Sequence, residues 1–358
     1  MKNIAILVYD ISLFGGAERV AVNLANELCH EYNVNLISCF NSKNRESFQL
    51  NERVKKHILT NNTVSMTLNC LKLSKLLKKI LIENNIDVIL NITAGVNTIS
   101  YFATKKINTK VIYCEHSNLV NKTYGKKHEF RQWIGAKTAD KVIALTEVDK
   151  KEFDRKYGIE GKTDYIYNWY DGSVYYDYDT NNKKIISVGR LEYVKGYDRM
   201  VKVAEKVLKK HTDWVWDIYG EGTYRDNIQK LIDEYGLENN MFLKGNDPNV
   251  IEKYKYYSLS VMTSYYEGFA LALVEAMANS LPTISFDCPT GPSEIITSGV
   301  NGFLIEDGNI DEMANKINEL IENESLRLSF SHHTVDVLPK FNKGDITKKW
   351  IKTINELD

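Results

Sequence analysis

The sequence predicts an α/β protein made of two Rossmann-like domains with parallel sheets, and three observations carry that expectation. Apolar, β-rich runs alternate with helix-length amphipathic segments. Two such series follow one another, and the periodicity fails between them in "YIYNWYDGSVYYDYDTNNKK" (165–184), where Asp, Asn and Gly collect. Continuous apolar strands separated by helices imply parallel sheets covered on both faces. A chain of 358 residues also exceeds what one ordinary core encloses. The expected domains are 1–168 and 169–343.

In the first series the strands read as "NIAILVYD" (3–10), "NVNLISCF" (33–40), "DVILNIT" (87–93), "KVIYCEH" (110–116) and "KVIALT" (141–146). Helical patterns lie between them, notably "GAERVAVNLANELCHE" and "LKLSKLLKKILIENN". In the second series they read as "KKIISVGRL" (183–191), "WVWDIYG" (214–220), "MFLKG" (241–245), "LSVMTS" (259–264) and "PTISFD" (282–287). The segment "KGDITKKWIKTINELD" reads as a final helix opened by Asp345. The first apolar run is followed by an acid and a Gly pair, so it reads as a strand and its turn, not a signal peptide.

Composition narrows the function. The chain is 43% hydrophobic and 26% charged, as in a soluble globular protein, and lacks the run of about eighteen apolar residues that a spanning helix needs. Five scattered cysteines without a CxxC pair suit free, mostly buried thiols in a reducing cytoplasm. The seven histidines show no ligand spacing, so no protein-held metal is expected. The net charge of −1 hides an asymmetry: residues 1–170 carry 25 Lys+Arg against 17 Asp+Glu, leaving 21 against 30 in the remainder. A basic half suggests an anionic surface or substrate, while the near-neutral total and lack of a recognition motif argue against nucleic acid.

Ligands of open α/β sheets bind beyond the carboxyl ends of the strands, so the residues there are the candidates. "GGAERV" follows the first strand; Gly15 and Gly16 permit close backbone approach at a helix N-terminus, or mark a tight turn. It is not GxGxxG, which leaves a nicotinamide dinucleotide site little support. In "SVGRLEYVKG", Arg190 and Lys195 stand where two cations could grip a diphosphate, against the commoner fate of solvated side chains. Gly220, Gly222 and Gly245 end further strands, where a nucleotide or simple turn geometry would explain them. "EGFALALVEAMANSLP" sets Glu267 and Glu275 in a core-like stretch. A helix starting near Phe269 or Ala270 would leave Glu267 in a loop and Glu275 in the second helical turn. Carboxylates accept from vicinal hydroxyls, though an acid/base pair, or partners for Arg190 and Lys195, are open alternatives.

In this order, "GGAERV", "EHSN", "SVGRLEYVKG", "YGEG", "EGFALALVEAMA" and "GPSEIITSGVNGFLI" resemble the family 4 glycosyltransferases, retaining enzymes of the GT-B fold. The resemblance covers nearly the whole chain. It implies two Rossmann-like domains facing an interdomain cleft, with residues 344–358 forming a helix that returns to the first domain. It further implies that Arg190 and Lys195 bind the donor diphosphate, that Glu275 holds the ribose and that Glu267 contacts the transferred sugar. Backbone N–H groups around Gly268, Phe269, Ala270 and Leu271 would help, with Gly220 and Gly245 beside the nucleotide. Gly16 would approach donor phosphates or acceptor, and His116 would project toward the reacting sugar. Without the resemblance, His116 reads as a core histidine. Two departures stand out: Ala270 where many members have Gly, and Ser280 where "AxGxP" is usual.

The resulting expectation is a metal-independent transferase with no cofactor, using a nucleotide-sugar, UDP-linked by preference, and a lipid-linked or cell-surface glycan acceptor. A GDP-mannose donor, a soluble acceptor or a nucleotide-sugar-binding module without transfer are the rivals. "LKLSKLLKKILIENN" places Leu73, Leu76, Leu77 and Ile80 on one face and Lys72, Lys75 and Lys79 on another. "YGKKHEFRQW" adds Lys126, Lys127 and Arg131 among Tyr124, Phe130 and Trp133. These segments read as a solvated basic face, or as a dock for anionic lipid or a polyprenyl diphosphate. The expected location is cytoplasmic, peripheral on the inner face of the cell membrane.

Overall fold

The computed structural model describes residues 1–13, 15–116, 119 and 125–357. The chain divides into two compact units, Met1–Asn168 with Gly344–Asp358, and Trp169–Lys343. Each is a parallel sheet with helices in the connections.

In unit 1 the strands are β1 (Asn3–Asp10), β2 (Asn33–Phe40), β3 (Lys55–Thr60), β4 (Val88–Ile92), β5 (Lys110–Cys114), β6 (Lys141–Ala144) and β7 (Thr163–Tyr165), in the order β3-β2-β1-β4-β5-β6-β7. Ile4, Ala5, Ile6 and Leu7 are fully buried and stand in register with both Val34–Ile37 and Val88–Asn91, which explains why β1 reads as a continuous apolar run. β3 and β7 are absent from the strands expected above. "KKHILT" is a polar edge strand with a single buried residue, and "TDY" has three residues, so neither carries an apolar signal. The helix Lys343–Asn355 starts two residues before Asp345, which sits in its first turn, and it buries Ile346, Trp350 and Ile354. Its end is held to unit 1 by Lys2 Nζ donating to Ile354 O at 3.1 Å and Tyr32 O–H to Asn355 Oδ1 at 3.1 Å.

In unit 2 the strands are β8 (Lys184–Val188), β9 (Val215–Tyr219), β10 (Met241–Gly245), β11 (Leu259–Met262), β12 (Thr283–Phe286) and β13 (Gly302–Ile305), in the order β10-β9-β8-β11-β12-β13. β13 was also unanticipated; a Cβ on its Gly302 would lie 2.0 Å from Thr283 O, so the glycine permits the pairing with β12. The core collects Trp216, Ile218, Val261, Ile284 and Phe286 from the sheet with Met200, Val203 and Val207 of the helix Tyr197–Leu208.

Both sheets reverse their winding once, between β1 and β4 and between β8 and β11. At such a switch point the connections leave the two strands for opposite faces of the sheet, and ligands of open α/β sheets bind at its carboxyl edge. In unit 2 those loops are Gly189–Gly196 and Thr263–Ala270, which contain Arg190, Lys195 and Glu267.

The helix Cys70–Glu83 buries Leu73, Ser74, Leu77 and Leu81. Leu76, expected on its apolar face, is instead 37% exposed, since the inward stripe advances from Leu77 to Leu81. The five cysteines are free thiols, all buried except the partly exposed Cys70. Among the described residues no helix is long and apolar enough to cross a membrane.

Candidate functional site

The two loops at the unit 2 switch point are joined backbone to backbone. Gly196 adopts φ +65°, and a Cβ there would fall 2.0 Å from Thr263 O. Tyr265 N donates to Val194 O at 2.9 Å and Thr263 Oγ1 to Gly196 O at 2.9 Å. This close seam sets Lys195, at the end of a short 3-10 turn, against Glu267. The ammonium lies 2.7 and 2.8 Å from the two carboxylate oxygens. Ser264 Oγ donates to the same carboxylate at 2.5 Å, and Thr290 Oγ1 to the backbone carbonyl of Glu267 at 2.7 Å. Glu267 is buried, so the pairing supplies the partner that a buried charge requires. Its charge is felt nearby: burial and then Glu267 push up both the Tyr197 phenol and the Cys288 thiol.

Arg199 was not anticipated. It is buried on the helix Tyr197–Leu208, and its guanidinium donates to Thr263 O at 3.1 and 2.6 Å, to Ser264 O at 2.6 Å, and pairs with Asp307 at 2.6 Å. The Tyr265 and Phe286 rings lie 3.9 and 4.5 Å from its centre. It therefore clamps the start of the Glu267 loop. The only hint in the sequence is a charged residue at a core-facing position of an amphipathic helix, a pattern shared with many exposed arginines.

Arg190 is exposed at the start of the same loop. Gly220 adopts φ +144° and a Cβ there would sit 1.9 Å from Gly189 O, a steric reason for glycine that involves no ligand. Gly222 is crowded in the same way, 2.2 Å from Leu191 O. Gly245 differs: it adopts φ +76°, but among the described residues its Cβ would meet only the side-chain end of Glu221 at 3.2 Å.

After Glu267 come Gly268, partly exposed, and Phe269, buried with its ring edge-on to Phe341 at 5.2 Å. The helix runs Leu271–Ala278, one or two residues later than expected, because Ala270 adopts the left-handed conformation at φ +62°, ψ +48° and caps it from outside. Glu275 lies in the second turn and is buried. Together with burial, its charge raises the Tyr170 phenol to about 12. Both departures from the family pattern fall at left-handed backbone, Ala270 and Ser280 at φ +59°. Ser280 ends the helix, with Leu281 N bonded to Ala276 O at 3.1 Å, and its hydroxyl donates to Tyr175 O at 2.5 Å.

Gly16 and His116 belong to unit 1. Gly16 is exposed at the first position of the helix Gly16–Leu28, and a Cβ there would have no neighbour within 4 Å among the described residues. His116 follows β5 and is partly exposed, yet desolvation pushes its imidazole down to about 4. Ser117 and Asn118 of "EHSN", and Tyr124, lie outside the described residues.

Comparison with known proteins agrees with this architecture. Residues 14–173 match the family model "Glycosyltransferase Family 4", and residues 176–334 match "Glycosyl transferases group 1". An uncharacterized glycosyltransferase of Haemophilus influenzae is 28% identical over 361 residues, 98% of this chain and 99% of that one. The poly(ribitol-phosphate) alpha-N-acetylglucosaminyltransferase of Staphylococcus aureus is 33% identical over 241 residues, 67% of this chain and 49% of that one. Among solved structures, a mutant of S. aureus TarM in complex with fondaparinux, alpha-GlcNAc-glycerol and UDP superposes with a TM-score of 0.84 at 20% identity, covering 99% of this chain and 100% of that one. With both halves matched and each sheet wound in the same way, the chain belongs to the family 4 glycosyltransferases, and its two α/β units have the GT-B fold.

Proposed function

We propose that the protein is a retaining transferase that moves a hexosyl or N-acetylhexosaminyl group from a UDP-linked donor to a surface glycan carried on a lipid. The observation that carries this reading is the Lys195–Glu267 pair at the unit 2 switch point. A cation and a hydroxyl-accepting carboxylate side by side suit a nucleotide-sugar, which carries a diphosphate next to a sugar. The UDP bound in the TarM structure and the activity named for the S. aureus relative support the choice of nucleotide and acceptor class.

In this mechanism Arg190 and Lys195 take the diphosphate, and Lys195 exchanges part of its bond to Glu267 for phosphate oxygens. Glu267 then accepts from sugar hydroxyls, and Glu275 from the ribose. The N–H groups of Gly268, Phe269, Ala270 and Leu271 meet the developing negative charge at a helix N-terminus. Gly220 and Gly245 keep the backbone low beneath the nucleotide. The acceptor hydroxyl attacks the anomeric carbon on the face from which the diphosphate departs, and a departing phosphate oxygen takes its proton. Gly16 admits phosphate or acceptor at its backbone, and a neutral His116 hydrogen-bonds the reacting sugar. Protein cations replace a divalent ion, so transfer persists in EDTA. The basic face of unit 1 holds the enzyme on the inner face of the membrane.

Thermal-shift screening against UDP-, GDP- and ADP-sugars, followed by turnover of the hit, tests the reading. Stabilisation by a UDP-sugar with release of UDP and an axial product linkage from an axial donor is expected. Binding without release of nucleotide, or an inverted product, would overturn it.

A further inference from the structure

We propose that unit 1 contains a binding site for one chain of a lipid diphosphate, formed between the helices Cys70–Glu83, Asn97–Thr104 and Gly125–Thr138. The site deepens the lipid-carried acceptor of the reading above and rests on it. A cavity of about 450 Å³ opens there, within the usual size of small-molecule pockets. Its floor is apolar: Met66 and Ile99 are buried, and Phe102 and Phe130 border it at 41% and 56% exposure. Its rim is cationic, with Lys126, Lys127 and Arg131 all supplied by the first two turns of Gly125–Thr138.

Two features select the occupant. Leu68, Leu71 and Trp133 stand exposed on the same helices and the segment before them, Trp133 stacked on Phe130 at 5.9 Å. Large apolar side chains gathered beside a pocket mark a surface that meets something apolar. Three cations at the N-terminal end of a helix favour a compact group of more than one negative charge. A single cavity with a rim of that charge fits one hydrocarbon chain ending in a diphosphate. A glycerophospholipid would bring two chains and one phosphate.

Farnesyl diphosphate serves as the water-soluble probe, titrated calorimetrically into the full-length protein, with inorganic diphosphate, farnesol and phosphatidylglycerol vesicles as separate arms. Saturable binding is expected, at least about tenfold tighter than diphosphate or farnesol alone. UDP, which belongs to the other unit, should leave it in place. The exposed double variant Lys126→Ala, Lys127→Ala and the cavity-filling Thr98→Trp should each weaken it by about tenfold or more without changing UDP affinity. Displacement by UDP, equal binding of diphosphate alone, equal competition by phosphatidylglycerol, or unchanged affinity in both variants would each overturn the site. If farnesyl diphosphate binds as expected but no sugar is transferred to any acceptor, the proposed activity fails and the site stands. If a soluble acceptor is glycosylated while farnesyl diphosphate does not bind, the reverse holds.

Discussion

Lys195 Nζ lies within 2.8 Å of both Glu267 carboxylate oxygens, while Arg190, five residues earlier, stands exposed at the mouth of the same loop. The two cations therefore differ in what their removal does to the fold. Lys195→Ala takes the ammonium away from a buried carboxylate, so stability falls by roughly 1–3 kcal/mol along with activity. Arg190→Ala should lower turnover by orders of magnitude with an unchanged melting temperature. Denaturant unfolding beside steady-state rates checks both. A Lys195→Ala protein as stable as the parent would contradict the pair's structural role.

The two left-handed residues that flank the helix Leu271–Ala278 make different predictions. Ala270 has a Cβ strained by roughly 1–2 kcal/mol at φ +62°. Glycine costs less than that in unfolded-state entropy, so Ala270→Gly should stabilise by up to about 1 kcal/mol. Ser280→Gly relieves similar strain but loses the hydroxyl bond to Tyr175 O, about 1 kcal/mol, and should be close to neutral. Chemical denaturation of the pair decides it.

Glycines in the two units separate steric from ligand-related roles. Gly220→Ala drives a methyl group into Gly189 O and should unfold unit 2 or sharply lower its stability. Gly16→Ala meets nothing within 4 Å among the described residues and sits in a helix, so stability should hold or rise by about 0.5 kcal/mol. A fall in transfer at constant stability would then report close approach of a substrate to Gly16; unchanged transfer would remove Gly16 from the site.

His116 gives a pH dependence with a definite sign. Its folded pKa, about 4, lies below the ordinary value of 6.5 because desolvation of the ring disfavours the imidazolium. As pH falls through 6.5 the unfolded chain takes up the proton first, so stability declines from there down to about 4 and is unaffected above. His116→Gln should flatten that part of the stability–pH curve. Melting temperatures of both proteins between pH 4 and 8 would show it, and parallel curves would contradict the desolvated ring.

The sheets were legible wherever a strand is buried on both faces, as with "NIAILVYD" and "LSVMTS", because such strands need continuous apolar sequence. β3 and β7, at or near an edge, and β13, which depends on Gly302, leave no such trace. At the site, Lys195 and Glu267 were legible as residue types at strand ends, but their direct pairing was only one of several alternatives. Deciding it needs the seam between Gly196 and Thr263, a long-range approach that spacing does not encode. Arg199 was hidden for the same reason: its partners Thr263, Ser264 and Asp307 are distant in sequence.

The helix Lys343–Asn355 has a consequence for how the molecule comes into being. Unit 2 is inserted within unit 1, whose closing helix follows all of Trp169–Lys343 in the chain. On a ribosome, where domains generally fold as they emerge, the later unit can reach its native state first. The earlier one must wait with the surface around Lys2 and Tyr32 uncovered until that helix is made. A stop codon at 343 would thus damage the half of the protein farthest from it in sequence.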